Sequence, residues 1–169
     1  MKLKFFSSLL GLLIVSSMSF AQNDSIVADN AEPAYLCGTV ERNALQTGDF
    51  GDLFFGEYAN YKPDQDILNK LKKDLFSHTL TVVLGTWCQD SQEQVPRMYK
   101  VLDKMDYNTS LIRLICVDKE KTGCDTDVSD LNIERVPTFI FYEDGNEVGR
   151  IVETPEHSLE NDMLKILSK

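Results

Sequence analysis

The sequence predicts an α/β fold in which a mixed central sheet carries helices on both faces. Three observations lead there. From Pro63 onward, stretches with helical apolar spacing alternate with short β-branched runs. Two of those runs, Thr81-Val82-Val83-Leu84 and Leu111–Val117, are apolar enough to lie buried inside a sheet. Asp144-Gly145 then separates two strand-like runs as a hairpin turn, which makes the end of the sheet antiparallel.

Taken in order, Gln22–Pro33 is polar and acidic and reads as a flexible leader. Ala34–Tyr61 holds Cys37 and the aromatics Phe50, Phe54, Phe55, Tyr58 and Tyr61; it reads as an N-terminal extension packed on the domain, with no secondary structure assigned. Asp64 can cap a helix whose apolar face is Ile67, Leu68, Leu71 and Leu75. Thr81–Leu84 is a central strand. Ser91–Lys104 is a helix with Val95, Met98, Tyr99, Leu102 and Met105 on one face and Pro96 as a kink. Leu111–Val117 is a second strand and Asp127–Ile133 a short helix. Thr138–Tyr142 and Glu147–Val152 flank the hairpin. Thr154-Pro155 is expected to open the last helix as hydroxyl cap and first-turn proline, with Leu159, Met163, Ile166 and Leu167 facing inward.

The first residues read differently. Lys2 and Lys4 precede an apolar run, Phe5–Val15, and Ser19-Phe20-Ala21 is a small-x-small cleavage site. This order predicts a secretory signal peptide over 1–21, an exported protein, and the periplasm as its compartment. The apolar run is short for a spanning helix, so no stable membrane insertion is expected after signal removal. The domain organisation is thus 1–21 signal peptide, 22–61 leader and extension, and 62–169 folded domain. The formal net charge is −10 and two of the lysines lie in the signal, which excludes nucleic acid as a natural partner.

Four cysteines remain, Cys37, Cys88, Cys116 and Cys124. They are too few for a disulfide scaffold. No C-x-x-C occurs, and His78 and His157 stand in no ligand spacing with them, so neither metal nor cofactor is expected. Both histidines read as surface residues. Cys88 is the informative one. It follows a strand, opens a helix and stands next to Trp87, with Ser91 where a dithiol motif would place its second cysteine. A helix N-terminus stabilises a thiolate and the Ser91 hydroxyl can donate to it, while Asp90 opposes it by like-charge repulsion. Cys116 reads as a small buried apolar residue. Cys124 follows the second strand on the Cys88 edge of the sheet; it is either a candidate resolving thiol or a loop cysteine, free or paired with Cys37.

These residues resemble the thioredoxin superfamily over Pro63–Lys169. Trp87-Cys88 matches the pair ahead of the active-site helix, and Pro96 the helix-kinking proline. Val136-Pro137-Thr138 matches the segment whose proline is cis in that family, and Asp144-Gly145 its hairpin turn. The Gly85-Thr86-Trp87-Cys88-x-Asp90-Ser91 form is also similar to exported thioredoxin-like proteins of the Bacteroidetes. The resemblance implies a thioredoxin-like three-layer fold. It implies Cys88 and Ser91 as catalytic residues and a substrate groove formed by Trp87, Val136, Pro137 and Thr138. Two departures stand out: Val82 occupies the position of the family's buried acid, and Glu153 that of a glycine beside the groove.

With one thiol at the helix start, the expected function is thiol–disulfide exchange through a mixed disulfide at Cys88, with protein or small-molecule thiols and disulfides as partners. The alternative, from another class, is a non-catalytic module that binds extended polypeptide segments beside Pro137.

Overall fold

The computed structural model describes residues 25–27 and 35–168; the predicted signal segment lies outside the described residues, as does the leader apart from Ser25–Val27. The strands are β1 (Ser25–Val27), β2 (Tyr35–Thr39), β3 (His78–Leu84), β4 (Ile112–Cys116), β5 (Thr138–Glu143) and β6 (Asn146–Val152). The helices are α1 (Gly48–Asn60), α2 (Gln65–Leu75), α3 (Gln89–Lys104) and α4 (Leu159–Leu167). The strands lie in the order β1-β2-β4-β3-β5-β6. Only β3 and β4 pair in parallel; the other neighbours are antiparallel. This is a mixed sheet of the thioredoxin-like kind.

Alternation along the strands makes two cores. Leu80, Val82 and Leu84 of β3, Leu114 and Cys116 of β4, and Phe139 and Phe141 of β5 belong to the larger one, which takes in the inner faces of all four helices. Val83, Ile115, Val117 and Val136 form the smaller core, against Trp87, Cys88, Val128, Leu131 and Ile133. The third layer is therefore thin. Where a helix was expected over Asp127–Ile133, only a 3-10 turn forms at Ser129–Leu131, ended by Asn132 at φ +50°. The reason is local: Val128, Leu131 and Ile133 suffice to cover four apolar side chains, and a left-handed residue ends helical propagation.

Local chemistry explains most boundaries. The Asp64 carboxylate accepts from the N–H groups of Asp66 and Ile67 at 2.9 and 3.2 Å and caps α2. Asp144 and Gly145, at φ +50° and +80°, make the two-residue turn that suits the strand twist. Two expectations need correction. The last helix begins at Leu159, capped by Ser158, whose Oγ accepts from Asn161 N at 3.3 Å. Before it, Glu156 N–H donates to the Asp162 carboxylate at 2.6 Å, so 154–157 is closed by a side chain rather than by helical bonds. His78 is 5% exposed, not a surface residue. β3 starts earlier than its apolar run, and the ring's Nδ1–H donates to the Asp74 carbonyl at 2.7 Å. Beside it, Tyr107 OH donates to the His78 carbonyl at 2.7 Å, and burial pushes that phenol up to about 12.

The extension is continuous with the domain. It supplies β2 to the sheet and lays α1 on α3 through Phe50 and Phe54. Arg42 grips Asp103 of α3 with both terminal nitrogens, at 2.8 and 2.7 Å, and lies 4.5 Å from the Tyr99 ring centre. Tyr58 OH donates to the same carboxylate at 2.7 Å. Further on, the buried Glu160 accepts from Tyr61 OH at 2.8 Å and from Asp64 N at 2.9 Å, tying the end of α1 and the start of α2 to α4. Among the described residues no helix is long and apolar enough to cross a membrane.

Burial opposes ionisation of Asp103, but hydrogen bonds from Arg42 and Tyr58 outweigh it and hold the carboxyl below its ordinary value. A depressed carboxyl contributes stability that is present above the unfolded value, about pH 4, and is lost as pH falls through the folded value. Both side chains keep about a quarter of their surface in water, at 27% and 28%, so the contribution is discounted. Asp103→Asn is expected to cost about 1–2 kcal/mol at pH 7 by urea unfolding. The gap from the parent protein should narrow at pH 3; an equal gap at both pH values would contradict this account.

Candidate active site

Register brings the site together. Leu84 of β3 pairs with Cys116 of β4 in parallel, so both strands end at the same edge of the sheet. Antiparallel β5 begins there, with Thr138 opposite Val83, and β6 ends there, with Val152 opposite Thr138. Gly85–Cys88, Val117, Val136-Pro137 and Glu153 therefore share one edge.

Cys88 is the N-cap residue of α3 with extended backbone, at φ −93° and ψ 126°, and its side chain does not cap the helix. It is half-buried and stands at the positive end of a sixteen-residue helix. Its S–H donates to the Val136 carbonyl at 3.2 Å, across the sheet edge. The Val136–Pro137 peptide bond is cis. Val136 and Thr138 are 4% and 1% exposed, and Thr138 Oγ1–H closes the turn onto the Arg135 carbonyl at 2.6 Å. Of the four residues expected to line a groove, only Trp87 thus keeps appreciable surface; Val136, Pro137 and Thr138 are buried. Glu153 adopts φ +59°, the region that favours glycine; its N–H donates to the Pro137 carbonyl at 2.7 Å, and its carboxylate takes Arg135 at 2.6 Å.

Ser91 serves the loop. It is fully buried, and its Oγ accepts from Gly85 N at 3.2 Å; among the described residues no hydrogen bond joins it to Cys88. The strand-to-helix loop is further held by Cys88 N to the Gly85 carbonyl at 2.9 Å and Gln92 Nε2 to the Thr86 carbonyl at 2.9 Å. Trp87 Nε1–H donates to the Val117 carbonyl at 2.9 Å. Leu36 N–H donates to Thr86 Oγ1 at 3.1 Å. Sequence reasoning did not single out Thr86, Gln92 or Leu36. Only a hydroxyl directly before Trp87-Cys88 hinted at Thr86, and Leu36 is far off in sequence.

Between the two roles open to Cys124, the structure selects pairing with Cys37. Cys124 so carries no thiol with which to resolve an intermediate at Cys88. The pairing arises because β2, unforeseen in the extension, lies antiparallel to β4 with Gly38 opposite Cys116, and the loop after β4 carries Cys124 back beside it. Cys116 is buried in β4 and Val82 in β3. His157 is exposed, 3.7 Å from Asp162. Among the described residues, no cluster of three or more His, Cys, Asp or Glu is placed to hold a metal ion.

No family model matches the chain, and no curated protein is detectably similar to it. Among solved structures it is similar to a protein of unknown function from Pseudomonas aeruginosa, with 18% identity over 70% of this chain and 81% of that one and a TM-score of 0.49. It is also similar to a thioredoxin from Fasciola hepatica (17% identity, 59% and 90% covered, TM-score 0.40). A third is thioredoxin O1 from Arabidopsis thaliana in its oxidized state (22% identity, 64% and 96% covered, TM-score 0.40). The fold assignment rests on the strand order and register above rather than on these likenesses.

Gly85 leaves room for the indole: a Cβ there would stand 2.6 Å from Trp87 Cε2 and 2.8 Å from Nε1. Gly85→Ala should displace the ring, break its bond to Val117 and cost about 1–3 kcal/mol. Thermal unfolding and Trp87 emission check this; an unaltered spectrum and midpoint would show that the ring yields without losing its partner.

Proposed function

We propose that the protein is an exported thiol–disulfide exchange protein that works through the single thiol of Cys88. The observation that carries this reading is the placement of a half-buried thiol at the uncapped N-terminus of a long helix, with Trp87 beside it and Val136 opposite. The helix end favours the thiolate. The thiolate attacks one sulfur of a substrate disulfide; a new S–S bond forms at Cys88 and the other substrate sulfur leaves as a thiolate. A different thiolate of the substrate, or a small thiol, then attacks the substrate sulfur of the mixed disulfide; a new S–S bond forms there and Cys88 leaves as a thiolate. With Ser91 buried under the loop and Cys124 bonded to Cys37, release comes from outside the chain. Isomerisation and removal of mixed disulfides suit this chemistry, since neither needs a second thiol in the protein. The signal-like start and a disulfide at Cys37–Cys124 support an oxidising compartment, the periplasm, for this work. The acidic surface argues against nucleic acid as a partner.

One observation favours the second reading, a binding module for extended segments. The Cys88 S–H donates to the Val136 carbonyl at 3.2 Å, so the sulfur is engaged within the fold. Alkylation separates the two readings. An exchange protein should react at Cys88 at neutral pH clearly faster than a peptide cysteine; a binding module should not.

Cys88→Ser should abolish repair of scrambled disulfides while leaving the thermal midpoint nearly unchanged, because a hydroxyl is not ionised at neutral pH. Activity retained in that variant would leave only the binding reading. Ser91→Cys should create a dithiol that reduces insulin slowly, since Val82 supplies no base, and Val82→Asp added to it should raise the rate. A fast single variant that gains nothing from Val82→Asp would refute the part given to the missing base.

A further inference from the structure

Besides the Cys88 bond to the Val136 carbonyl, two hydrogen bonds from outside its own strand and helix hold the Thr86-Trp87-Cys88 loop. Leu36 N–H of β2 holds Thr86 Oγ1, and the Val117 carbonyl holds Trp87 Nε1. Both bonds end beside one covalent link. Cys37, next to Leu36, is bonded to Cys124, with the Cα atoms 5.9 Å apart. Cys124 lies in the loop that starts at Val117. That loop is closed on itself by Asp118 N to the Thr122 carbonyl at 3.0 Å, Thr122 N to Asp118 Oδ1 at 2.7 Å and Thr126 N to the Gly123 carbonyl at 2.8 Å. Apart from the disulfide, β2 is held there by two residue pairs with β4, by Val40 N to the Leu114 carbonyl at 3.1 Å, and by Thr39, whose N–H and Oγ1 both reach Thr126 Oγ1 at 3.1 Å; β1 pairs with its other side. The two halves of the link differ. Cys37 is wholly buried, whereas Cys124 is exposed and sits at φ +54°, unfavourable for a residue with a side chain.

We propose that the Cys37–Cys124 disulfide is a redox-dependent clamp that positions the Trp87-Cys88 loop, with Thr86 as the positioning residue that passes its state to the site. Oxidised, it fixes β2 and the 118–126 loop and so holds Cys88 under the Val136 carbonyl. An external dithiol opens it from the exposed side. A thiolate of the reductant attacks Cys124 Sγ, the Cys37–Cys124 bond breaks, and Cys37 leaves as a thiolate that takes up a proton. The second thiol of the reductant loses its proton and displaces Cys124, which is protonated in turn. The reductant ends as a disulfide, and two electrons have passed to the protein. β2 then relaxes from Thr86, and the loop loses one of its outer holds. The inference deepens the exchange reading, since it concerns the same site, but its main readout needs no exchange activity.

Trp87 is the single tryptophan of the chain, so emission reports on this loop alone. Purified protein is titrated with dithiothreitol while acrylamide quenching of Trp87 and far-UV circular dichroism are followed. Mass spectrometry follows the redox state of Cys37 and Cys124 and the rate of iodoacetamide labelling at Cys88. On full reduction the quenching constant should rise about twofold and Cys88 labelling about threefold, the scale of a local opening, with unchanged circular dichroism and reversal on reoxidation. Thr86→Val, with the disulfide intact, should reproduce both changes, and Thr86→Ser should restore the parent values. Full reduction that leaves Trp87 and Cys88 unaltered would overturn the proposal, as would an inert Thr86→Val. Loss of circular dichroism on reduction would overturn it too, by making the link a global staple. A protein without exchange activity whose Trp87 still responds would refute the proposed function and leave the clamp standing.

Discussion

Parallel pairing of β3 with β4 is the constraint on which the rest of the structure depends. It sends two consecutive strands out of the sheet at the same edge, so the loop after each arrives beside the other. Antiparallel neighbours on either side then bring in a strand start from β5 and another from β2, and the strand end of β6. A thiol, a tryptophan, a proline segment and a disulfide are gathered from four separate parts of the chain. An edge of a sheet where strands end supplies unpaired backbone groups, and here three of the carbonyls, those of Val117, Val136 and Pro137, are used to fix side chains and a turn.

At that edge Cys88 opens α3 and gives its S–H to the Val136 carbonyl. Val82, buried beneath the loop, offers neither charge nor proton, and the Ser91 hydroxyl oxygen is taken up by Gly85 N–H. Cys88 is the one cysteine of the site not committed to packing or to a disulfide, so its reactivity depends on how firmly the loop keeps it beneath Val136. That geometry connects the candidate active site to β2 and the loop after β4.

The N-terminal segment is as much a part of this as the helices. Arg42, set among three aromatic rings and locked on Asp103, holds Phe54 and Tyr58 of α1 against α3, and Glu160, accepting from Tyr61 and Asp64, holds the C-terminal end of α1. Charged groups partly withdrawn from water need partners; Glu160 has two donors, and Arg42 pairs through both terminal nitrogens while its buried Nε has no hydrogen-bond partner among the described residues. With α1 seated on α3, β2 is held near the sheet edge where Leu36 and Cys37 act.

Local patterns were legible in the sequence because they rest on neighbours along the chain. The period of Leu68, Leu71 and Leu75, the Asp64 cap, the Asp144-Gly145 turn and the strand-to-helix setting of Trp87-Cys88 each depend on a few consecutive residues, and the order of elements with its hairpin specified a mixed sheet. What depends on distant residues was not legible. Cys37 and Cys124 are 87 residues apart, and their pairing needed β2 to lie on β4, a strand too short and too mixed in character to stand out. His78 passed for a surface residue until tertiary packing closed over it, and Ser158 displaced Thr154 as the helix cap because a carboxylate six residues on claimed the intervening N–H. The sequence by itself determined the fold class and the candidate thiol. The tertiary structure decided that thiol's partners, because hydrogen-bond acceptors and sulfur atoms are chosen by distance in space, which the order of residues does not set.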